Sequence, residues 1–186
     1  MTQKNRRHAP FRVLGCQIPG YEISNYALPG WECRHNSGYW TGHPYLGLGI
    51  GAASYVNGTR FSNCTDLREY LEVLGREKDR ADATEQTDKA KQAEKTGITS
   101  LIRTDLHSLS AEEQMEEFMF LGLRMTKGVR SAVFTERFGK SIEQVYGRIL
   151  ERHISQGVLE KTPGGYRLTD RGVDVSNYVL ADYLLQ

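Results

Sequence analysis

The sequence lacks the features that mark several classes of protein. Its 186 residues contain three cysteines and no Cys-x-x-Cys pair, which excludes a disulfide framework and a paired-cysteine metal site. No run of about 18 apolar residues occurs, and the basic N-terminus is not followed by the apolar stretch of a signal peptide. Reduced thiols and the lack of a spanning segment predict a soluble, cytoplasmic protein.

The common catalytic signatures are also missing. The chain has no G-x-S-x-G, no H-E-x-x-H and no phosphate-binding loop. A Gly-x-Gly-x-Gly run at 47–51 leads towards a predicted hairpin and not into a helix, so it does not predict a dinucleotide site. The net charge is +1, and residues 110–186 carry ten Lys or Arg against eleven Asp or Glu. This balance argues against a nucleic-acid partner.

Tyr21–Tyr55 is the segment richest in chemically specific residues. It contains both tryptophans, one of the three cysteines and two of the five histidines. Its two ends, Tyr21–Ala27 and Tyr45–Val56, predict strands, and the glycines of the second would leave one face without side chains. Asn57-Gly58 then predicts a tight turn to an antiparallel strand.

A candidate site lies between the two predicted strands, in Trp31–Trp40, which predicts a short helix or an irregular loop. His35 and Tyr39 are four residues apart and would share one face of a helix. An imidazole beside large aromatic rings suits a flat macrocycle, with His35 as the axial ligand of its iron. Cys33 is an alternative soft ligand. The other interpretation is structural, with the aromatic and glycine residues forming a core and its turns.

The rest of the chain predicts mainly helices. A helix capped by Thr65 or Asp66 carries leucines at helical spacing, and residues 76–97 form a charged spacer without an apolar face. Ser110 and Glu113 form a capping box, and further helices are predicted at Ser131–Phe138 and Ser141–Gln156. A hairpin at Pro163-Gly164-Gly165 and a last helix from Thr169 complete the order of a winged-helix domain.

A winged helix suggests DNA binding through the helix Ser141–Gln156. That helix carries Arg148, Arg152 and His153, but also acidic residues, and its module is slightly acidic as a whole. We therefore expect a packing or interaction module, with a winged-helix nucleic-acid-binding or adaptor protein as the alternative.

Several separated motifs resemble one protein family. They are YEISNYALPGWECRHNSGYW, YLGLGIGAASY, RFSN-x-x-DLREYL, EFMFLGLRMTKGV and YRLTDRGVDVSNYVLADYL, and together they extend from about Gly20 to Gln186. The segments resemble radical-SAM proteins related to oxygen-independent coproporphyrinogen III oxidase, and more narrowly its heme-chaperone branch. The resemblance implies an α+β chain, in which the last strands of a partial radical-SAM (β/α) barrel precede a C-terminal winged-helix domain.

The same resemblance implies domains and sites. Residues 1–75 would be the barrel remnant, 76–109 a polar connector and 110–186 the winged-helix domain. The H-N-x-x-Y-W element would bind heme for transfer to an acceptor protein, and a strand segment would line half of an S-adenosylmethionine site. The heme-binding residues would be His35, Asn36, Tyr39 and Trp40, and the half-site residues Gly49, Gly51 and Ala53.

Two departures from the family limit the function that is implied. The chain lacks the Cys-x3-Cys-x2-Cys motif that holds the 4Fe-4S cluster, so we expect no reductive cleavage of S-adenosylmethionine by this chain alone. Many members have histidine in place of Ala53, and the spacer is longer than usual. We expect a truncated or frame-shifted C-terminal half, whose partners would be heme and the missing N-terminal half. An inactive fragment with an exposed barrel edge is the remaining alternative.

Overall fold

The computed structural model describes residues 11–13, 16–84 and 102–184. Contacts divide the chain into two compact units. Residues 1–43 and 110–186 form one, here called the discontinuous unit, and residues 44–109 form the other, the continuous unit. The described residues before 44 are thus grouped with the C-terminal segment, although the predicted domains group them with residues 44–75.

The described residues form eight strands and seven helices, which confirms a chain of mixed helix and sheet. In chain order these are β1 (Phe11–Val13), β2 (Cys16–Ile18), α1 (Arg34–Trp40), β3 (Ala53–Val56), β4 (Thr59–Asn63), α2 (Leu67–Thr84), β5 (Arg103–Ser108), α3 (Ala111–Gly122), β6 (Val129–Arg130), α4 (Ser131–Phe138), α5 (Ile142–Ser155), β7 (Leu159–Thr162), β8 (Gly165–Leu168), α6 (Asp170–Asp174) and α7 (Ser176–Ala181).

Local capping residues define the helices of the discontinuous unit. The predicted box at Ser110 is confirmed, because its hydroxyl accepts from the Glu113 amide and the Glu113 carboxylate accepts from the Ser110 amide. Ser141 and Gln144 form a second box at the start of α5. Gly139 ends α4 with φ 68°, a conformation that favours glycine.

The C-terminal hairpin is present as predicted. β7 pairs with β8 in antiparallel register, and β6 adds to the other side of β8 to give the order β6-β8-β7. The predicted single last helix is wrong, however. It is divided into α6 and α7 at Val175, whose φ of −116° and ψ of 25° are not helical.

The core of the discontinuous unit lies between its helices and this sheet. Its buried apolar side chains include Met119, Phe134, Tyr146, Leu150, Leu159 and Val179. Along α5, Tyr146, Leu150 and His153 are buried, whereas Ile154 is 41% exposed. The buried side chains of this helix follow the 3.6-residue period.

The continuous unit is an antiparallel sheet of order β3-β4-β5 with α2 after β4. The Asn57-Gly58 turn is confirmed, and both residues have positive φ, 50° and 75°. β5 lies in a segment for which no strand was predicted. Within the described residues, no helix is both long and apolar enough to cross a membrane.

The predicted strand Tyr45–Val56 is largely wrong. Only Ala53–Val56 pairs as a strand, and the preceding glycine-rich segment turns instead. Gly49 and Gly51 have φ of 97° and 63°, and the Gly51 amide donates to the Cys64 carbonyl. Alternating glycines therefore provide left-handed turn positions here and not a bare strand face. The predicted strand Tyr21–Ala27 is also absent, since the segment makes only isolated bridges.

Candidate functional site

The candidate site is built on α1, a helix of seven residues. A turn precedes it, in which the Trp31 amide donates to the Leu28 carbonyl at 2.9 Å and Gly30 adopts φ 86°. Cys33 occupies the N-cap position without a side-chain capping bond, and α1 buries none of its residues completely. Contacts outside the helix must therefore hold it, because so short a helix is unstable alone.

His35 and Tyr39 form the outward face of α1. Both side chains are exposed, and the Tyr39 hydroxyl lies 3.0 Å from His35 Nε2. The two rings meet edge to face, with centroids 4.8 Å apart and an angle of 75° between their planes. The predicted shared face is confirmed. Iron binding at Nε2 would require the Tyr39 hydroxyl to move away from that nitrogen.

Asn36 and Trp40 point towards the body of the discontinuous unit. Asn36 Nδ2 donates to the hydroxyl of buried Tyr21 at 2.9 Å. The Trp40 ring lies beneath the guanidinium of Arg124, which is 4.3 Å from the ring centroid. The four predicted heme-binding residues are thus divided, with His35 and Tyr39 facing outward and Asn36 and Trp40 facing the anchor of the helix.

That anchor was missed in the sequence. Glu22 is buried and pairs with Arg124, 102 residues further along the chain, at 3.4 Å. Backbone bonds join the same segments, since the Ile23 amide donates to the Arg124 carbonyl and the Thr126 amide to the Tyr21 carbonyl. Both segments belong to motifs that carry the family resemblance, and that resemblance was the available signal for the anchor. No residue pattern predicts that the two segments pair.

The predicted half-site residues lie in the continuous unit. Gly49 and Gly51 belong to the turn, and Ala53 is the first residue of β3. Asn63, which the sequence analysis did not single out, holds this turn because its Nδ2 donates to the carbonyls of Gly47 at 3.3 Å and Gly49 at 2.8 Å.

The two thiols that the structure describes, Cys33 and Cys64, differ in exposure. Cys33 is exposed and Cys64 is buried. Burial raises the pKa of the Cys64 thiol, and the nearby carboxylates of Glu69 and Asp66 raise it further. The described residues contain no group of three His, Cys, Asp or Glu side chains that could hold a metal ion. With three cysteines far apart in sequence, the chain does not fit a 4Fe-4S cluster.

Basic side chains on which the nucleic-acid alternative depends are paired with acidic side chains. On α5, His153 is fully buried with Nε2 2.8 Å from Asp182, and Arg152 pairs with the same carboxylate at 2.7 Å. On the hairpin, Arg167 pairs with Glu160 at 2.6 Å. Of the three basic side chains expected on that helix, two are therefore committed to contacts within the protein, and the DNA interpretation is not favoured.

Comparisons with known proteins identify relatives of the chain. Residues 109–175 match the family described as the HemN C-terminal domain. The heme chaperone HemW of Bacillus subtilis is 33% identical over 99% of this chain and 46% of its own length. HemW of Lactococcus lactis is also 33% identical, over 89% of this chain and 37% of its own length. The chain thus spans less than half the length of these two relatives.

A solved structure shares the fold. The coproporphyrinogen III oxidase HemN of Escherichia coli, described as a radical SAM enzyme, superposes with a TM-score of 0.53. The match covers 86% of this chain and 35% of that enzyme, at 12% sequence identity, so it supports the fold alone. Together with the sequence relatives, it confirms the resemblance predicted from the motifs. The chain is therefore similar to the HemW heme chaperones over most of its length, and residues 109–175 match the HemN C-terminal domain family.

Proposed function

We propose that this chain is the C-terminal, heme-binding portion of a heme chaperone and delivers heme to an acceptor protein. The observation that carries the proposal is the division of the H-N-x-x-Y-W element on α1. Two of its side chains are anchored inward, which leaves an imidazole and a phenol side by side on the exposed face. The kinship with HemW supports heme as the cargo.

In this proposal His35 is the axial ligand of the heme iron. Neutral imidazole is a common haem ligand, and an exposed position allows the cargo to enter and leave. The Tyr39 hydroxyl orients the ring in the absence of heme, and the phenol packs beside the macrocycle when heme binds. Asn36 and Trp40 keep the helix on the protein surface. Cys33, exposed two residues before His35, is the alternative ligand.

The proposal also assigns the two parts of the fold in more detail. Residues 110–186 would be a winged-helix domain, with β7 and β8 as the wing, and residues 44–75 would correspond to the last part of a radical-SAM barrel. Gly49, Gly51 and Ala53 would then face S-adenosylmethionine only when an N-terminal radical-SAM half is present. We derive no radical chemistry for this chain, since it has no ligand set for the cluster.

Titration with hemin tests the proposal. The purified chain is mixed with hemin, and the Soret band reports both affinity and ligand type. We expect His35→Ala to weaken binding roughly tenfold or more and to shift the band, because the iron loses its axial nitrogen. Cys33→Ala, a neighbouring substitution of similar exposure, should leave both unchanged.

The two variants distinguish between His35 and Cys33 as the iron ligand. Wild-type spectra and affinity in His35→Ala would disprove His35 as the ligand. Loss of the band in Cys33→Ala, with His35→Ala unaffected, would assign the thiolate instead.

A further inference from the structure

Arg124, which was not predicted to have a role, lies beside α1. It lies two residues after the end of α3, close to Glu22 and Trp40. These three side chains bring together the segment before α1, the end of α1 and the segment after α3.

Glu22 is the buried end of this group. Its side chain is 0% exposed. One carboxylate oxygen, Oε1, accepts from the Ser24 amide at 2.9 Å and from Asn25 Nδ2, while Oε2 lies 3.4 Å from Arg124. A fully buried carboxylate requires a cation or several donors, and Arg124 is the cation that the structure places beside it.

Arg124 contacts both partners with one guanidinium. The group pairs with Glu22 Oε2 and stacks on the Trp40 ring at 4.3 Å, with its side chain 19% exposed. A planar cation can do both at once, since its edge donates hydrogen bonds while its face covers an aromatic ring. The buried carboxylate thus holds the guanidinium, and the guanidinium holds the last residue of α1.

Trp40 and His35 lie on the same short helix. Because α1 has no side-chain N-cap and no fully buried residue, two side-chain contacts hold it from behind: Asn36 with Tyr21 near its start and Trp40 with Arg124 at its end. Loss of the second contact removes one of these two attachments, and the position of His35 relative to the rest of the unit is then less well defined.

We infer that Arg124 is a positioning residue for heme binding, which orients the His35-bearing helix through Trp40 while Glu22 orients Arg124. This inference rests on the proposed function. It gives Arg124, which lies outside the H-N-x-x-Y-W element, the role of orienting His35 as the iron ligand.

The test uses the full chain with Trp31→Phe, so that Trp40 is the one remaining tryptophan of two. In that background Arg124→Met, which keeps length but removes charge and planarity, should shift Trp40 emission to longer wavelength and increase its quenching by acrylamide. Hemin affinity should fall about tenfold, with a Soret band that moves towards that of His35→Ala. Arg124→Lys should restore part of the affinity, since it keeps the charge but not the stacking plane.

A matched control and a second variant keep the result interpretable. Arg167→Met removes an arginine from the exposed pair with Glu160 and should change neither Trp40 emission nor hemin binding. If Arg124→Met fails to fold because Glu22 is left unpaired, the double variant Glu22→Gln/Arg124→Met removes both charges. It should fold and still show the changes in emission and affinity.

The outcomes separate the two proposals. If His35→Ala weakens hemin binding but the Arg124 variants keep wild-type Trp40 emission or wild-type affinity, the positioning inference is wrong. If His35→Ala has no effect, the proposed ligand fails, and the Trp40 signal alone decides whether Arg124 holds α1. Lower stability of Arg124→Met with an unchanged Soret band would mean a structural role only and would overturn the inference.

Discussion

In the discontinuous unit, α5 buries Leu150 to 2% exposure, whereas in the continuous unit α2 leaves Leu71 57% exposed. Both helices have apolar residues at helical spacing, and for both the sequence predicts an inner apolar face. The apolar face of α5 packs in one apolar cluster with side chains from the sheet and from four other helices. The apolar face of α2 remains exposed to solvent. Leu48 and Leu106 of the same unit are also exposed, at 85% and 63%.

The difference concerns what stabilises each unit. The discontinuous unit depends on apolar burial, while the continuous unit depends more on strand pairing and on side-chain bonds such as those from Asn63. An amphipathic pattern therefore indicates a helix in both places, but it does not say whether the apolar face is covered within the same chain.

The largest expected effect comes from Leu150→Ala. The side chain belongs to the apolar cluster of the discontinuous unit, so truncation removes buried methyl groups and leaves a cavity. We expect the free energy of unfolding to fall by about 2–5 kcal/mol, measured by urea denaturation. A loss below about 1 kcal/mol would mean that the cluster is loosely packed.

A smaller effect is expected from Tyr166→Phe, which breaks the bond between the hairpin and α5. The Tyr166 hydroxyl donates to Glu143 at 2.7 Å, and this bond lowers the pKa of the Glu143 carboxyl. Burial, assisted by Glu143, raises the pKa of Tyr166 to about 12. We expect the variant to lose about 1 kcal/mol near neutral pH, again by urea denaturation.

The directions of these two pKa shifts determine how stability should change with pH. Stability due to the lowered Glu143 pKa is present above the usual value of 4.5 and is lost as the pH falls through the lowered pKa. Stability due to Tyr166 is present below its usual value of 10 and is lost as the pH rises towards about 12. Tyr166→Phe should reduce the pH dependence in both ranges, and Tyr178→Phe, on an exposed side chain, should not.

The smallest effect is expected from Leu71→Ala, the counterpart of Leu150→Ala on the exposed helix. With more than half of the side chain already in water, unfolding stability should change by no more than about 0.5 kcal/mol. Light scattering should show less self-association if the open face drives it. A loss comparable with that of Leu150→Ala would show that α2 is covered in solution and would remove the contrast between the units.

Sequence alone predicted the features that depend on neighbouring residues. The capping box at Ser110, the turn at Asn57-Gly58 and the C-terminal hairpin follow from hydrogen bonds and φ angles within four residues. The shared face of His35 and Tyr39 follows from helix geometry in the same way. The family resemblance, from motifs that remain recognisable at 33% identity, added heme as the expected ligand.

Tertiary structure decided the features that depend on distant residues. Asn63 holds the glycine turn from 14 residues away, and the turn replaces a strand that local alternation favoured. Arg124 reaches Glu22 across 102 residues, and no spacing rule connects two such positions. The sequence therefore identified His35 as the candidate ligand, while the fold alone showed which side chains direct it, because a buried ion pair and a stacked ring form only when separate segments pack together.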